Sequence, residues 1–205
     1  MNEKFFDLKK EKQDRMINAA LKVFAENGFR RASTDEMVKA AGISKGLLFH
    51  YFSSKTGLYE FVYDYSVKYI TMELTSTVSD SETDYFLLRR QIEKAKMQAM
   101  KNFPYMQLFL LKAEMEDAPE ALAVMGDAAE SLLEVYDTIY RRVDFKRGSR
   151  ISAERLARIV EFTMNGLLYE NMRAPKFQAE TYYKEAAHYL EELELLCAEQ
   201  ENDLK

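Results

Sequence analysis

The stretch Ser33–Lys55, STDEMVKAAGISKGLLFHYFSSK, decides how this chain folds. Ser33 followed three residues later by Glu36 is an S-x-x-E capping box, in which side chains and backbone donors satisfy each other at a helix start. Thr34 to Ala41 then makes about two turns, with Met37, Val38 and Ala41 available to face inward. Gly42 stands where a helix stops, because glycine takes the left-handed conformation without a Cβ clash. Ile43 returns to the core, and Ser44 can cap a second helix from Lys45 to about Tyr51. Two short capped helices joined by a glycine turn make a helix-turn-helix.

In such a unit the second helix enters the DNA major groove. Leu48 and Phe52 are four residues apart and face inward with Ile43. That leaves Lys45, Gly46, Leu47, Phe49, His50 and Tyr51 around the remaining surface. An ordinary helical hairpin would expose mostly Glu, Lys and Gln there. Cations, aromatic edges and an apolar residue near the helix start suit phosphates and thymine methyl groups instead.

AAGISKGLLFHYFSSKTGLYE, preceded by ALKVFAENGFRRASTDEMV, resembles the N-terminal DNA-binding domain of the TetR/AcrR family of bacterial transcriptional regulators. The resemblance covers roughly Arg15 to Tyr59. It implies a helical homodimer that represses a promoter from a palindromic operator and lets go when a small ligand binds the larger C-terminal domain. By position, Thr34 and Lys55 would contact phosphates. Lys45, Gly46 and Leu47 would lie nearest base edges, and Phe49, His50 and Tyr51 would flank the DNA backbone. Two positions depart from the commonest pattern. Leu47 stands where Thr or Ser is frequent, and Phe49 where Tyr is frequent, so one hydroxyl contact and one phosphate hydrogen bond are lost.

Composition supports a folded chain that meets DNA at one end. Of 205 residues, 47% are hydrophobic and 31% charged, which describes a soluble globular protein with room for a sizeable core. The net charge of −5 is uneven: residues 1–55 hold 11 Lys+Arg against 7 Asp+Glu, and the remainder 18 against 27. A modestly basic module on an acidic body fits a protein with one DNA-facing end. The start lacks the apolar run of a signal peptide, no stretch is long enough for a membrane span, and a single cysteine, Cys197, fits a reducing cytoplasm.

The rest of the chain reads as helix. The first twelve residues are expected to be a polar lead-in, frayed at first and then merging into the first helix. Ile17, Ala20, Leu21 and Phe24 mark a first helix from about Glu11 to Asn27, closed by Gly28. A long helix from Lys55 to about Ser79 would begin at the DNA, where its free N–H groups form an anion site, and end in the body. Further helices are expected over Tyr85–Lys101, from Pro104 to about Glu116, from Pro119 to about Val143, over Ser152–Met172 and over Glu180–Glu199. Asp144 to Arg150 reads as a charged loop. The fold class is all-α, with an N-terminal three-helix DNA-binding domain over residues 1–55 and a larger helical ligand-binding and dimerisation domain over 56–205.

Within the body, Tyr65, Tyr69, Met97, Met100, Phe103, Met106, Phe109 and Tyr136 are candidates to line a pocket for a largely apolar small molecule, since methionine and aromatic walls adapt to such ligands. Ordinary core packing is the competing reading for each. By resemblance the last two long helices dimerise, with Leu156, Ile159, Val160, Thr163, Gly166, Leu167, Leu190 and Leu193 as candidates. One short recognition helix reads few base pairs, so specificity favours two half-sites and hence a dimer. No catalytic, metal or cofactor pattern is found. His50 and His188 are far apart in sequence, and Cys197 reads as a small buried hydrophobe. An enzyme is not indicated. The alternative is a helical interaction protein whose helix-turn-helix docks another protein.

Overall fold

The computed structural model describes residues 3–145 and 151–198, and every regular element among them is helical. Ten α-helices follow a short 3-10 turn at Glu3–Phe5: α1 Lys10–Arg31, α2 Thr34–Ala41, α3 Lys45–Phe52, α4 Lys55–Thr77, α5 Tyr85–Asn102, α6 Met106–Ala113, α7 Pro119–Leu122, α8 Gly126–Tyr140, α9 Ala153–Met172 and α10 Ala179–Cys197. The expected loop positions 146–150 and Glu199, the last residue of the expected final helix, lie outside the described residues.

Local chemistry explains most of these boundaries. Gly28 takes φ +68° and interrupts the helical path of α1, so that only a short turn remains before Ala32. The Ser33 hydroxyl accepts the Glu36 N–H at the start of α2, Ser44 accepts the Leu47 N–H at 3.2 Å for α3, and Ser152 accepts the Arg155 N–H for α9. Gly42 adopts φ 66°, ψ 41°, the left-handed stop between α2 and α3. The helix expected from Pro119 to Val143 is instead two. Proline starts α7 at its first turn, but α7 lasts one turn, and α8 begins only at Gly126, whose low helix propensity favours the break.

The chain divides into two compact units. One comprises residues up to Met72 together with Ala99–Val135, and the other Glu73–Gln98 together with the residues from Tyr136 onward. The core of the first is aromatic. Phe24 of α1 meets Tyr59 of α4 with ring centroids 4.9 Å apart, and Tyr59 meets Phe109 of α6 at 5.4 Å. Burial drives the Tyr59 phenol pKa upward, with Glu116 and Tyr63 adding to it. In the second unit Leu88 and Ile92 of α5, Val160 and Met164 of α9, and Ala186 and Leu190 of α10 are buried, and α9 packs along α10.

The lead-in merges into α1 at Lys10, as expected, but from residue 3 onward it is tied to the core. Phe5 is fully buried, with ring centroids 5.7 Å from Tyr51, 5.2 Å from Phe52 and 5.2 Å from Phe61. The Gln13 amide ties the turn down by donating to the carbonyls of Phe6 and Leu8. Burial of one large aromatic side chain, worth about 1.5–3 kcal/mol, outweighs the charge of the residues around it.

Candidate nucleic-acid interface

Helix α3 has eight residues, and its inward stripe fixes what it can show to solvent. Leu48, Tyr51 and Phe52 are buried, at i, i+3 and i+4. Tyr51, expected on the outer face, is instead buried, with its ring packed edge-on against Phe5 at 5.7 Å. Lys45, Gly46 and His50 are exposed, and Leu47 and Phe49 half-buried. A Cβ placed on Gly46 would meet nothing within 4 Å, so the first turn of α3 offers bare backbone to an approaching partner. Thr34, at the start of α2, is half-buried.

Two lysines of the expected set are engaged differently. Lys45 Nζ lies 2.9 Å from the Asp35 carboxylate of α2, both side chains being at least half exposed. Such a pair is worth roughly 0–1 kcal/mol, so a phosphate can displace Asp35. Lys55 instead donates to the Phe29, Arg30 and Ala32 carbonyls at 2.9, 3.3 and 3.5 Å, with its Nζ 4.6 Å from the Phe29 ring centroid. It caps the end of α1 and locks that end to α4. Arg30 and Arg31 are exposed beside it, Arg30 lying 3.5 Å from Asp117.

The α3–α4 junction is built for close approach. Ser53 takes φ +63°, and its N–H donates to the Phe49 carbonyl at 2.9 Å. The Ser54 hydroxyl accepts the Gly57 N–H at 3.0 Å, opening α4. A Cβ on Gly57 would sit 2.3 Å from the Phe52 carbonyl oxygen, so this position admits only glycine without movement of the backbone. The residue that sequence reading passed over is Glu116. One oxygen accepts the Phe29 N–H at 2.8 Å, and the other accepts the N–H groups of Asp117 and Ala118 at 3.1 and 3.0 Å. It fastens the end of α1 to the segment before α7. A cleft of about 470 Å³ lies here, lined by Phe29, Arg30, Lys55, Thr56, Pro119 and Glu120.

The other expected sites scatter. In the first unit Met100, Phe103, Met106 and Phe109 are core side chains, while Tyr65 and Tyr69 are half-buried and accept hydrogen bonds from Lys10 and Asn102. Met97 and Tyr136 belong to the second unit. On α9 and α10, Leu156, Val160, Leu167 and Leu190 are buried within their own unit. Their side chains pack mainly into the core of the protomer. Ile159, Thr163, Gly166 and Leu193 keep exposure, joined by Phe162 at 67% and Tyr189 at 45%. His188 sits on the surface 3.3 Å from Glu192, and Cys197 is buried. Among the described residues no group of three or more His, Cys, Asp or Glu side chains is placed to hold a metal ion, and no helix is long and apolar enough to cross a membrane.

Residues 16–62 match the family model for bacterial regulatory proteins of the tetR family. The HTH-type transcriptional regulator UidR of Escherichia coli (strain K12) is 48% identical over 44 residues, which are 22% of each chain. The nucleoid occlusion factor SlmA of Glaesserella parasuis serovar 5 is 34% identical over 74 residues, 36% of this chain and 35% of SlmA. The chain thus matches about a third or less of these relatives' own lengths. Over the whole fold, the crystal structure of a TetR family transcriptional regulator from Chloroflexus aurantiacus J-10-FL superposes with a TM-score of 0.61 at 21% identity, covering 95% of both chains. The capped α2–α3 pair and the glycine at its turn agree with the family match, the helical body agrees with the shared fold, and residues 16–62 belong to the tetR family of bacterial regulatory proteins.

Proposed function

We propose that the protein is a sequence-specific, DNA-binding transcriptional regulator that represses as a homodimer in the cytoplasm and leaves its operator when a small molecule binds. The observation that carries this reading is the outer face of α3. It presents Lys45, the bare backbone of Gly46, Leu47 and His50 on a rigid helix whose other side is bolted down by Leu48, Tyr51 and Phe52. In this reading Lys45 and Thr34 hold phosphates, Leu47 meets a base edge or thymine methyl, and Phe49 and His50 line the flank. Residues 1–55 form the DNA-binding domain and the remainder binds the effector and dimerises. Helix α4 runs unbroken from the helix-turn-helix to Thr77 and is the candidate rod between the two functions.

The second copy docks on the faces of α9 and α10 that the protomer leaves exposed, with Ile159, Phe162 and Gly166 on one helix and Tyr189 and Leu196 on the other. A two-fold dimer would present two α3 helices to half-sites about one DNA turn apart, or a multiple of it.

The test is fluorescence anisotropy with labelled fragments of the DNA immediately upstream of the protein's own gene, at two salt concentrations, against an unrelated fragment. Binding that exceeds the control by about 10³ or more and weakens with salt supports the reading. Lys45→Ala should then weaken binding to all sequences and lower the salt slope by about one. Equal, weak binding to both fragments favours a helix-turn-helix that docks a protein. Lys55 is the poorer probe, because its ammonium holds the end of α1.

A further inference from the structure

The second unit contains a buried ionic cluster where apolar packing would also have served. Glu93 of α5 is wholly buried, and its carboxylate accepts from Arg89 Nη2 at 2.9 Å, Lys96 Nζ at 3.1 Å and the Tyr182 hydroxyl of α10 at 2.7 Å. Arg89, only 3% exposed, also donates through Nη1 to the Tyr140 hydroxyl of α8 at 2.5 Å, and the same nitrogen lies 3.2 Å from the Glu161 carboxylate of α9. Desolvating an ion costs several kcal/mol, and apolar residues of similar volume hold a core as well as a buried ion pair does.

The members are not equivalent. Exposure rises from Glu93 at 0% through Arg89 at 3% and Lys96 at 12% to Glu161 at 47%. The cluster thus reaches solvent at Glu161, whose carboxylate is the one least held. Arg89 Nε is buried and has no acceptor, so protein groups leave this guanidinium unsatisfied. Two cations face two carboxylates. Replacing Glu161 by another carboxylate keeps that balance, whereas a neutral group leaves a buried positive charge uncompensated. Beside Arg89 the rings of Tyr136 and Tyr140 stack, with centroids 6.4 Å apart and planes 19° from parallel, which places aromatic surface next to the guanidinium.

We propose that Arg89 receives the carboxylate of a small organic acid with an aromatic or aliphatic body, and that Glu161 is the internal stand-in that this carboxylate displaces. The inference rests on the reading of the protein as an effector-responsive regulator and names the class of that effector. Lys96 supplies the second positive charge, Tyr140 orients the guanidinium, and Glu93 and Tyr182 hold the cluster against α10.

Calorimetric titration of the full chain, without DNA, with benzoate, phenylacetate and octanoate and with the three corresponding amides tests this. At least one acid should bind saturably, and its amide about 100-fold more weakly, as charge-assisted hydrogen bonds to arginine require. Substituting Arg89 strands Glu93 and is liable to unfold the unit, so the informative variant is Glu161→Gln, at the half-exposed edge. Emptying the stand-in should tighten the acid about tenfold. Acids and amides binding alike, no acid binding up to about 10 mM, or an affinity indifferent to Glu161→Gln would each overturn the proposal. Repeating the titration on the operator complex separates the two readings. Acid binding with no release of DNA upholds the Arg89 site and counts against effector control of the operator.

Discussion

At the scale of single residues, two glycines separate folding from binding. Gly57 is required by contact, since any Cβ there would collide with the Phe52 carbonyl. Gly57→Ala should therefore destabilise the protein by about 1–3 kcal/mol, read as a lowered denaturant midpoint. Gly46, in the first turn of α3, has open space above it. Gly46→Ala should leave stability unchanged or raise it by up to about 1 kcal/mol through helix propensity. Its cost should fall on operator affinity, measured by anisotropy on the same preparation. An alanine at Gly46 that binds the operator as well as the parent would show that bases do not approach this backbone. Lys45 and Lys55 give the same lesson in charge. The sequence offers two lysines of equal standing, but one pairs loosely with Asp35 and the other is fastened to three carbonyls.

At the scale of elements, α3 depends on supports at both ends. Ser44 caps its start, and Ser44→Ala should cost about 1 kcal/mol in chemical denaturation. Beneath its far end lies Phe5, and removing a fully buried phenyl ring typically costs about 3–5 kcal/mol. Phe5→Ala should lower the melting temperature and speed amide exchange in α3 before that in α6. If α3 and α6 lose protection equally, the arm does not act specifically on the recognition helix. The expected helix from Pro119 to Val143 shows how weak the boundary signals are inside a continuous polar–apolar pattern. Pro119 marks the start correctly, but the break before Gly126 is signalled only by that one glycine, which costs about 1 kcal/mol in a helix and is often tolerated inside one.

At the scale of the whole molecule, the charges buried in the second unit set the pH range of stability. Burial alone would raise the Glu93 pKa, but Lys96, Arg89 and the Tyr182 hydrogen bond more than offset it and hold it below its ordinary value near 4.5. A depressed carboxylate contributes stability that is present above about 4.5 and lost as pH falls through its folded value. Burial pushes the Tyr136 phenol up to about 12 from 10.0, with Lys96 opposing. That contribution is complete below about 10 and disappears as pH rises toward 12. The melting temperature should accordingly hold a plateau between about pH 5 and 10 and fall on both sides. Glu93→Gln should flatten the acid limb if it folds. The exposed apolar face of α9 makes a separate prediction. Phe162→Glu should convert a dimer to monomers in light scattering with little change in helical content, since Phe162 is two-thirds exposed within the protomer.

What the sequence determined by itself is local. Caps at Ser33 and Ser44, stops at Gly28 and Gly42, and apolar periodicity along α1 and α3 act over four residues or fewer, so one chain read in order reveals them and, with them, the all-helical class and the helix-turn-helix. Tertiary structure decided which members of a helix face stay outside. Tyr51 is buried with its ring against Phe5, 46 positions away, and Leu156, Val160, Leu167 and Leu190 pack mainly into the protomer's own core. It also decided the partners of the buried charges. Glu116 finds the Phe29 N–H across 87 positions, and Glu93 finds Tyr182 across 89. Periodicity carries no information about such pairs, because the benefit of satisfying a buried polar group depends on which helices meet in space and not on the residues beside it.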